Sequence, residues 1–231
     1  MARLPGSNIS ESEIGYMFSS VSGDIILPEW QRGYSWTKEE IDQLFTDIIE
    51  EYKSSEERGE VREGMLLGNI ILLTFDRENL YLLDGQQRLI TITYILKEMV
   101  ENVDKRYKGV INRIEEFLYS VDEEYNCDYR FKIKREEGKK LVPVEIDEEL
   151  VKYISKRVKE DLIYDGFDRE GGLLNFLLNT VFIVQTYHGI NQEESYKRKV
   201  FKDILDYFVK FNTRGRPFDV DEKRRAIEFL S

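Results

Sequence analysis

Apolar positions along the chain change period several times, and each change marks an element. Residues 25–28, "IILP", read as a short strand that Pro28 stops, because proline has no N–H to give a ladder. "TKEE" then makes a capping box, with Thr37 capping and Glu40 reaching back. Ile41, Leu44, Phe45, Ile48, Ile49 and Tyr52 follow at helical spacing and predict a helix to about residue 52. The polar stretch "SSEERGEVREG" reads as a loop and "MLLGNIILLTF" as a buried strand. Residues 80–83 pair with that strand through the "DREN" turn.

From Gln86 the signals compete. "LITITYIL" alternates β-branched residues, but Leu89, Thr93, Leu96 and Val100 recur at helical spacing, so a buried helix is predicted. Further helices are expected over roughly 106–120, 147–164, 172–186 and 194–211. The stretch "DYRFKIKREEGKKLVPVEI" between the first two reads as a hairpin or an irregular insert. Phe201, Ile204, Leu205, Phe208 and Phe211 form an apolar stripe ending in the loop "NTRGRPFD", and Asp219 with Glu222 starts a last helix. The pattern predicts an α+β protein. A small α/β part spans residues 1–105, and a mainly helical part, 106–231, packs on it as one unit.

Composition narrows the classes. A chain of 231 residues with 41% hydrophobic and 13% aromatic content can bury a sizeable core, so wholesale disorder is excluded. No apolar run approaches the ~20 residues that span a bilayer, and the N-terminus lacks the apolar centre of a secretory signal. Cys127 is the single cysteine, which excludes an internal disulfide and a Cys-rich zinc site. An intracellular, cytoplasmic protein is expected. The net charge of −11 argues against a generic DNA-coating protein and leaves only a local basic face for DNA. The abundance of Glu, Lys and Arg, with few Gln, Met and Cys, resembles thermophile composition.

Against that scarcity, "LYLLDGQQRLIT" places Asp84, Gly85, Gln86, Gln87 and Arg88 between core-like flanks. A strand that ends in Asp-Gly and opens a helix gathers free backbone N–H groups and the positive helix end, where anions bind. Arg88 can grip phosphate through two N–H groups. Asp84 can position water or hold a divalent ion, and the glutamines can donate to phosphate or orient water. The plain alternative is a turn capped by Asp84, with both glutamines exposed. A second cluster, "LPEWQRGYSW", sets Gln31 and Arg32 between Trp30 and Tyr34, with Trp36 before the capped helix. Such aromatics stack on a base or a guanidinium, or simply anchor the loop while Arg32 reaches solvent. The third, "KFNTRGRPFD", offers Asn212, Arg214 and Arg216, which add charge to a phosphate site or merely end a helix.

Together these clusters resemble the N-terminal domain of GmrSD-type modification-dependent restriction endonucleases, also found in SspE and BrxU proteins. The matching features are Pro28, Gln31, Arg32, Tyr34, Trp36, "LLGNIIL", Asp84 to Arg88 and "VKFNTRG", in the same order and at similar intervals. The resemblance implies a ParB/sulfiredoxin-like fold whose corresponding turn handles nucleotide phosphates. It implies binding and hydrolysis of a nucleoside triphosphate (GTP, CTP, UTP or ATP), with or without Mg2+, coupled to sensing of modified DNA. On that basis Asp84 and Arg88 are the expected catalytic residues, Asp84 also being the candidate metal ligand. Gln31, Arg32, Tyr34, Trp36, Gly85, Gln86, Gln87, Asn212 and Arg214 are expected to bind nucleotide and phosphate.

The chain departs from the family in two places. Complete GmrSD-type enzymes carry a His-Asn-His nuclease domain, which needs histidine as base and ligand. Here His188 is the sole histidine and is expected to cap a helix end, which implies a standalone sensor domain or one separated from its nuclease. Phe218 and Glu222 stand where the family pattern has Leu and Asp. No GxxxxGK[ST] sequence occurs, which excludes a P-loop mechanism. Two other readings remain. One is a DNA-binding regulator or decoy acting through "KIKREEGKK" and "EKRRA"; the other is a ParB-like nuclease using Asp84 and a metal.

Overall fold

The computed structural model describes residues 6–13, 24–59, 64–75, 79–102, 111–112, 115, 118–120, 130–131, 133–137, 140–163, 172–188, 193, 195–197, 199–203 and 224. Its strands are β1 (Gly6–Glu13), β2 (Ile25–Leu27), β3 (Leu66–Thr74), β4 (Leu80–Asp84), β5 (Tyr119–Ser120), β6 (Arg130–Phe131), β7 (Ile133–Glu137), β8 (Lys140–Pro143) and β9 (Val181–His188). Its helices are α1 (Lys38–Arg58), α2 (Gln86–Asn102), α3 (Glu148–Arg157) and α4 (Gly172–Asn179). A π-helical segment, Val158–Ile163, continues α3. The fold is α+β.

Among the described residues, seven strands form one mixed sheet in the order β1-β9-β3-β4-β2-β7-β8, and β5 pairs with β6 apart from it. β2 lies parallel to both β4 and β7, while β3 runs antiparallel to β4. The carboxyl ends of β4, β2 and β7 therefore meet at one edge, together with the start of β3. Ligands of open sheets commonly sit outside such an edge.

Both faces of the central strands are covered. On β4, Leu80 and Leu82 face a core shared with α1, α2, α3 and α4, whereas Tyr81 and Leu83 face a second cluster. That second cluster holds Trp30, Leu73, Phe75, Val200 and Phe201. Phe75, Tyr81 and Phe201 meet edge to face, with Tyr81 and Phe201 centroids 5.2 Å apart. Burial on two faces explains why β3 and β4 read as nearly continuous apolar runs.

Thr37 and Glu40 form the predicted capping box, and Ile41, Leu44, Phe45 and Ile48 are buried. The helix runs beyond its expected end at residue 52. "SSEER" is helical, and Gly59 closes it in the left-handed conformation at φ 74°. Glu and Arg continue a helix readily, and glycine takes the left-handed cap without a Cβ clash. The α2 helix starts at Gln86, as its helical spacing predicts.

Two expectations are corrected. The helix expected over 172–186 stops at Asn179, and Val181–His188 forms β9, parallel to β3 and antiparallel to β1. His188 accordingly lies on a strand, opposite Gly6 and Thr74, and not at a helix end. The polar N-terminal stretch "GSNISESE" is strand β1. The insert after residue 128 contains the β7–β8 hairpin, so residues on both sides of 105 build the same sheet. The loop "NTRGRPFD" with Asn212, Arg214 and Arg216, and the stripe from Ile204 to Phe211, lie outside the described residues.

Candidate functional site at the strand ends

Asp84 is the last residue of β4 and Gly85 the hinge into α2. Gly85 has φ 88°, and a Cβ there would stand 2.9 Å from the Asn69 carbonyl oxygen and 3.0 Å from Ile70. Only glycine serves both the dihedral and the closeness of β3. Asp84 Oδ1 accepts the Gly85 N–H at 2.8 Å. It thus braces the turn one residue before the helix cap position; Gly85 takes that position, its carbonyl accepting from Leu89 N at 3.1 Å. The leading N–H groups of α2, from Gln86 to Arg88, have no carbonyl ahead of them in the helix.

Two guanidinium groups converge on this turn. Asp84 is solvent-exposed on its outer side, yet the crowded walls of the turn raise its carboxyl pKa by desolvation. Opposing that rise are the Gly85 N–H, the charge of Arg88 and the charge of Arg32. Desolvation likewise lowers the pKa of Arg88, opposed by Asp84 and by Asp47 of α1. The ends of β4 and α2 and the loop after β2 thus share one electrostatic site.

Arg88 is also fitted sterically. A Cβ on Gly68 of β3 would fall 2.6 Å from Arg88 Nη1, so the side chain packs over the bare backbone of "LLGN". Gly68 was legible only as part of a motif; its role as the bed for Arg88 was not. Asp47 was missed as well, because its place on the exposed face of α1 gave no sign that it looks toward residue 88.

The glutamines divide by task. Gln31, 2% exposed, donates through Nε2 to the carbonyls of Leu82 (2.8 Å) and Leu83 (2.9 Å), tying the loop after β2 to the end of β4. Gln87, 7% exposed, accepts the Ser35 N–H at 2.8 Å and donates to the Gly33 carbonyl at 3.1 Å. Their amide groups shape the site from within. Gln87 is buried and Gln86 half-buried, so neither matches the picture of two exposed glutamines.

The aromatics divide too. Trp30 is buried in the second cluster and anchors the loop. Tyr34 and Trp36 pack, partly buried, against the main core. The Tyr34 hydroxyl lies 2.7 Å from Thr91 Oγ1, which gives its single proton to the Gln87 carbonyl at 2.8 Å. Tyr34 is therefore the donor of that pair, and burial pushes its pKa up to about 12. Arg32, between Gln31 and Gly33, is half-buried, and its charge acts on Asp84.

Part of the basic run "KIKREEGKK" is engaged internally. Lys134 pairs with Asp24 at 2.8 Å, and Arg135 Nη2 donates to the Gln31 carbonyl at 2.8 Å. Among the described residues, no group of three or more His, Cys, Asp or Glu could hold a metal ion, and no helix is long and apolar enough to cross a membrane.

A family model described as "GmrSD restriction endonuclease, N-terminal domain" matches residues 14–229. No curated protein matches the chain.

Proposed function

The chain belongs to the GmrSD restriction endonuclease N-terminal domain family, and from that premise we propose that it binds and hydrolyses a nucleoside triphosphate at the Asp84–Arg88 turn, coupled to sensing of DNA in a restriction-type protein. The observation that carries this reading is the convergence of Arg88 and Arg32 on Asp84 at the start of α2.

The two guanidinium groups and the leading N–H groups of α2 hold the phosphates. Asp84 is open to solvent on one side and its carboxyl pKa is raised, so its basicity moves toward neutrality. It accepts a proton from, or orients, the water that attacks the terminal phosphorus. The bond from that phosphorus to the bridging oxygen breaks, and inorganic phosphate and the diphosphate leave. Gln31 and Gln87 keep the loop that carries Arg32 pressed on the turn. Mg2+ fits as an ion delivered with the triphosphate, which needs only one or two protein carboxylates, and Asp84 would be that ligand. Bound there, it would neutralise phosphate charge. Asn212 and Arg214 belong to the proposal through the family-like motif alone.

The test is phosphate release with each of the four triphosphates, with and without DNA, on the parent and on Arg88→Ala and Asp84→Asn. Release by the parent that either substitution abolishes supports the reading. Tight binding with no release at all favours a regulator without turnover. Cleavage of plasmid DNA by the purified chain, lost in Asp84→Asn, favours a nuclease.

A further inference from the structure

The carboxyl ends of β2 and β7 do more than frame the turn. Between them, the loop at Gly33–Tyr34 and the hairpin strand β8 lies a cavity of about 510 Å3. That size suits a small ligand. Its apolar walls are Leu27, Val142 and Val144, and the partly buried Tyr34 adds a ring. Its polar groups are Arg135, Glu137 and Glu145.

We infer that this cavity is the nucleobase subsite of the same nucleotide, built to take guanine. The inference rests on the phosphate reading of the Asp84–Arg88 turn. Charge separates the two regions. The cavity has two carboxylates for one guanidinium, so it repels phosphate and receives the neutral end of a ligand. The turn, with Arg32 and Arg88, receives the anionic end.

The polar set also specifies which neutral group fits. A carboxylate accepts two adjacent N–H donors well, and guanine alone among the common bases offers them side by side, on N1 and N2. A guanidinium fork matches the O6 and N7 acceptors of guanine. Arg135 is held for that purpose by its bond from Nη2 to the Gln31 carbonyl. Its Nη1 lies 3.5 Å from where a Gly33 Cβ would be, an ordinary contact that places the guanidinium beside the Gly33 backbone. Adenine has no N1–H and no O6.

One loop joins both regions. The Gly33 carbonyl accepts from Gln87 of the turn, and the Tyr34 hydroxyl reaches Thr91 on the same helix. The loop of residues 32–36 thus carries a group of each region, Tyr34 at the cavity and Arg32 at the turn.

The test is equilibrium binding, by calorimetry with Mg2+, of GTP, ATP, CTP, UTP and inorganic tripolyphosphate. The proteins are the parent, Arg88→Ala and the double variant Glu137→Gln with Glu145→Gln. Both glutamates are exposed, so the double variant keeps its fold, checked by its melting temperature. The parent is expected to prefer GTP by about tenfold, the scale of one charge-assisted hydrogen bond. The double variant is expected to lose that preference without weakening tripolyphosphate. Four equal affinities in the parent, or a preference that survives in the double variant, overturns the base subsite while the phosphate reading stands. Absence of any binding, or binding that Arg88→Ala leaves intact, overturns the phosphate reading and the subsite with it.

Discussion

The guanidinium of Arg88 occupies the space where a side chain on Gly68 would begin, with Nη1 2.6 Å from that Cβ position. A strand residue thereby sets the rotamer of a helix residue at the candidate phosphate site. Gly68→Ala is expected to push Arg88 aside, because the far end of a flexible arginine yields before backbone does. The substitution should weaken triphosphate binding about as much as Arg88→Ala, which removes a contact worth about 1.5–3 kcal/mol. Held at φ 115°, the new alanine also adds backbone strain of about 1–3 kcal/mol. In the double variant the binding losses should not add, since both changes remove the same contact. Additive losses in a binding cycle would separate Gly68 from Arg88.

Gln86 and Gln87 are identical neighbours in sequence and unlike in the fold. Gln87→Ala leaves the Ser35 N–H and the Gly33 carbonyl without their buried partner. The expected cost is about 1–3 kcal/mol, with a looser 33–35 loop and weaker nucleotide binding. Gln86→Ala, at a half-buried first-turn position, should change stability by about 0.5 kcal/mol or less. Urea denaturation of the two variants makes the comparison. Equal losses would remove Gln87 from its clasping role.

Tyr34 separates ring from hydroxyl. Tyr34→Phe keeps the cavity wall and deletes the donor to Thr91, whose own bond to the Gln87 carbonyl survives. A loss of about 0.5–1.5 kcal/mol is expected in the melting transition, with base preference intact. Tyr34→Ala should lose the preference as well. A preference that ignores the missing ring would place the base elsewhere.

Local signals made α1, β3, β4 and α2 legible, because a capping box, apolar runs and helical spacing are written within a dozen residues of each other. β9 was hidden for the opposite reason. "LLNFLLNTVFIV" is apolar except for Asn175, Asn179 and Thr180, and so dense an apolar run does not distinguish by period a buried helix from a buried strand. β1 is polar and, among the described residues, pairs with β9, whose residues lie far along the chain. At the site, Asp84, Arg88 and Arg32 stood out because charge between core-like flanks needs partners. Arg135 and Gly68 did not, since their importance comes from parallel pairing of β7 with β2 and from the crossing of β3 beneath α2. Neither relationship has a signature in the local sequence.

Asp84 distinguishes chemistry from architecture by its response to pH. Its folded-state pKa is raised from 3.8, mainly by desolvation. As pH rises, the unfolded chain therefore releases this proton first. Between the two values the folded state holds more protons, so stability falls with rising pH across that interval and stays reduced above it. Asp84→Asn removes the desolvated charge and retains an oxygen that can accept the Gly85 N–H. The variant should melt at or above the parent temperature at pH 7, and the gap should close as pH falls below 3.8, where the parent is neutral as well. Triphosphate binding should persist while phosphate release is lost, because an amide takes no proton from water. Melting curves from pH 3 to 8, set beside release assays at pH 7, decide the matter. A variant that melts well below the parent at pH 7 assigns Asp84 to the fold, and one that still releases phosphate ends its catalytic role.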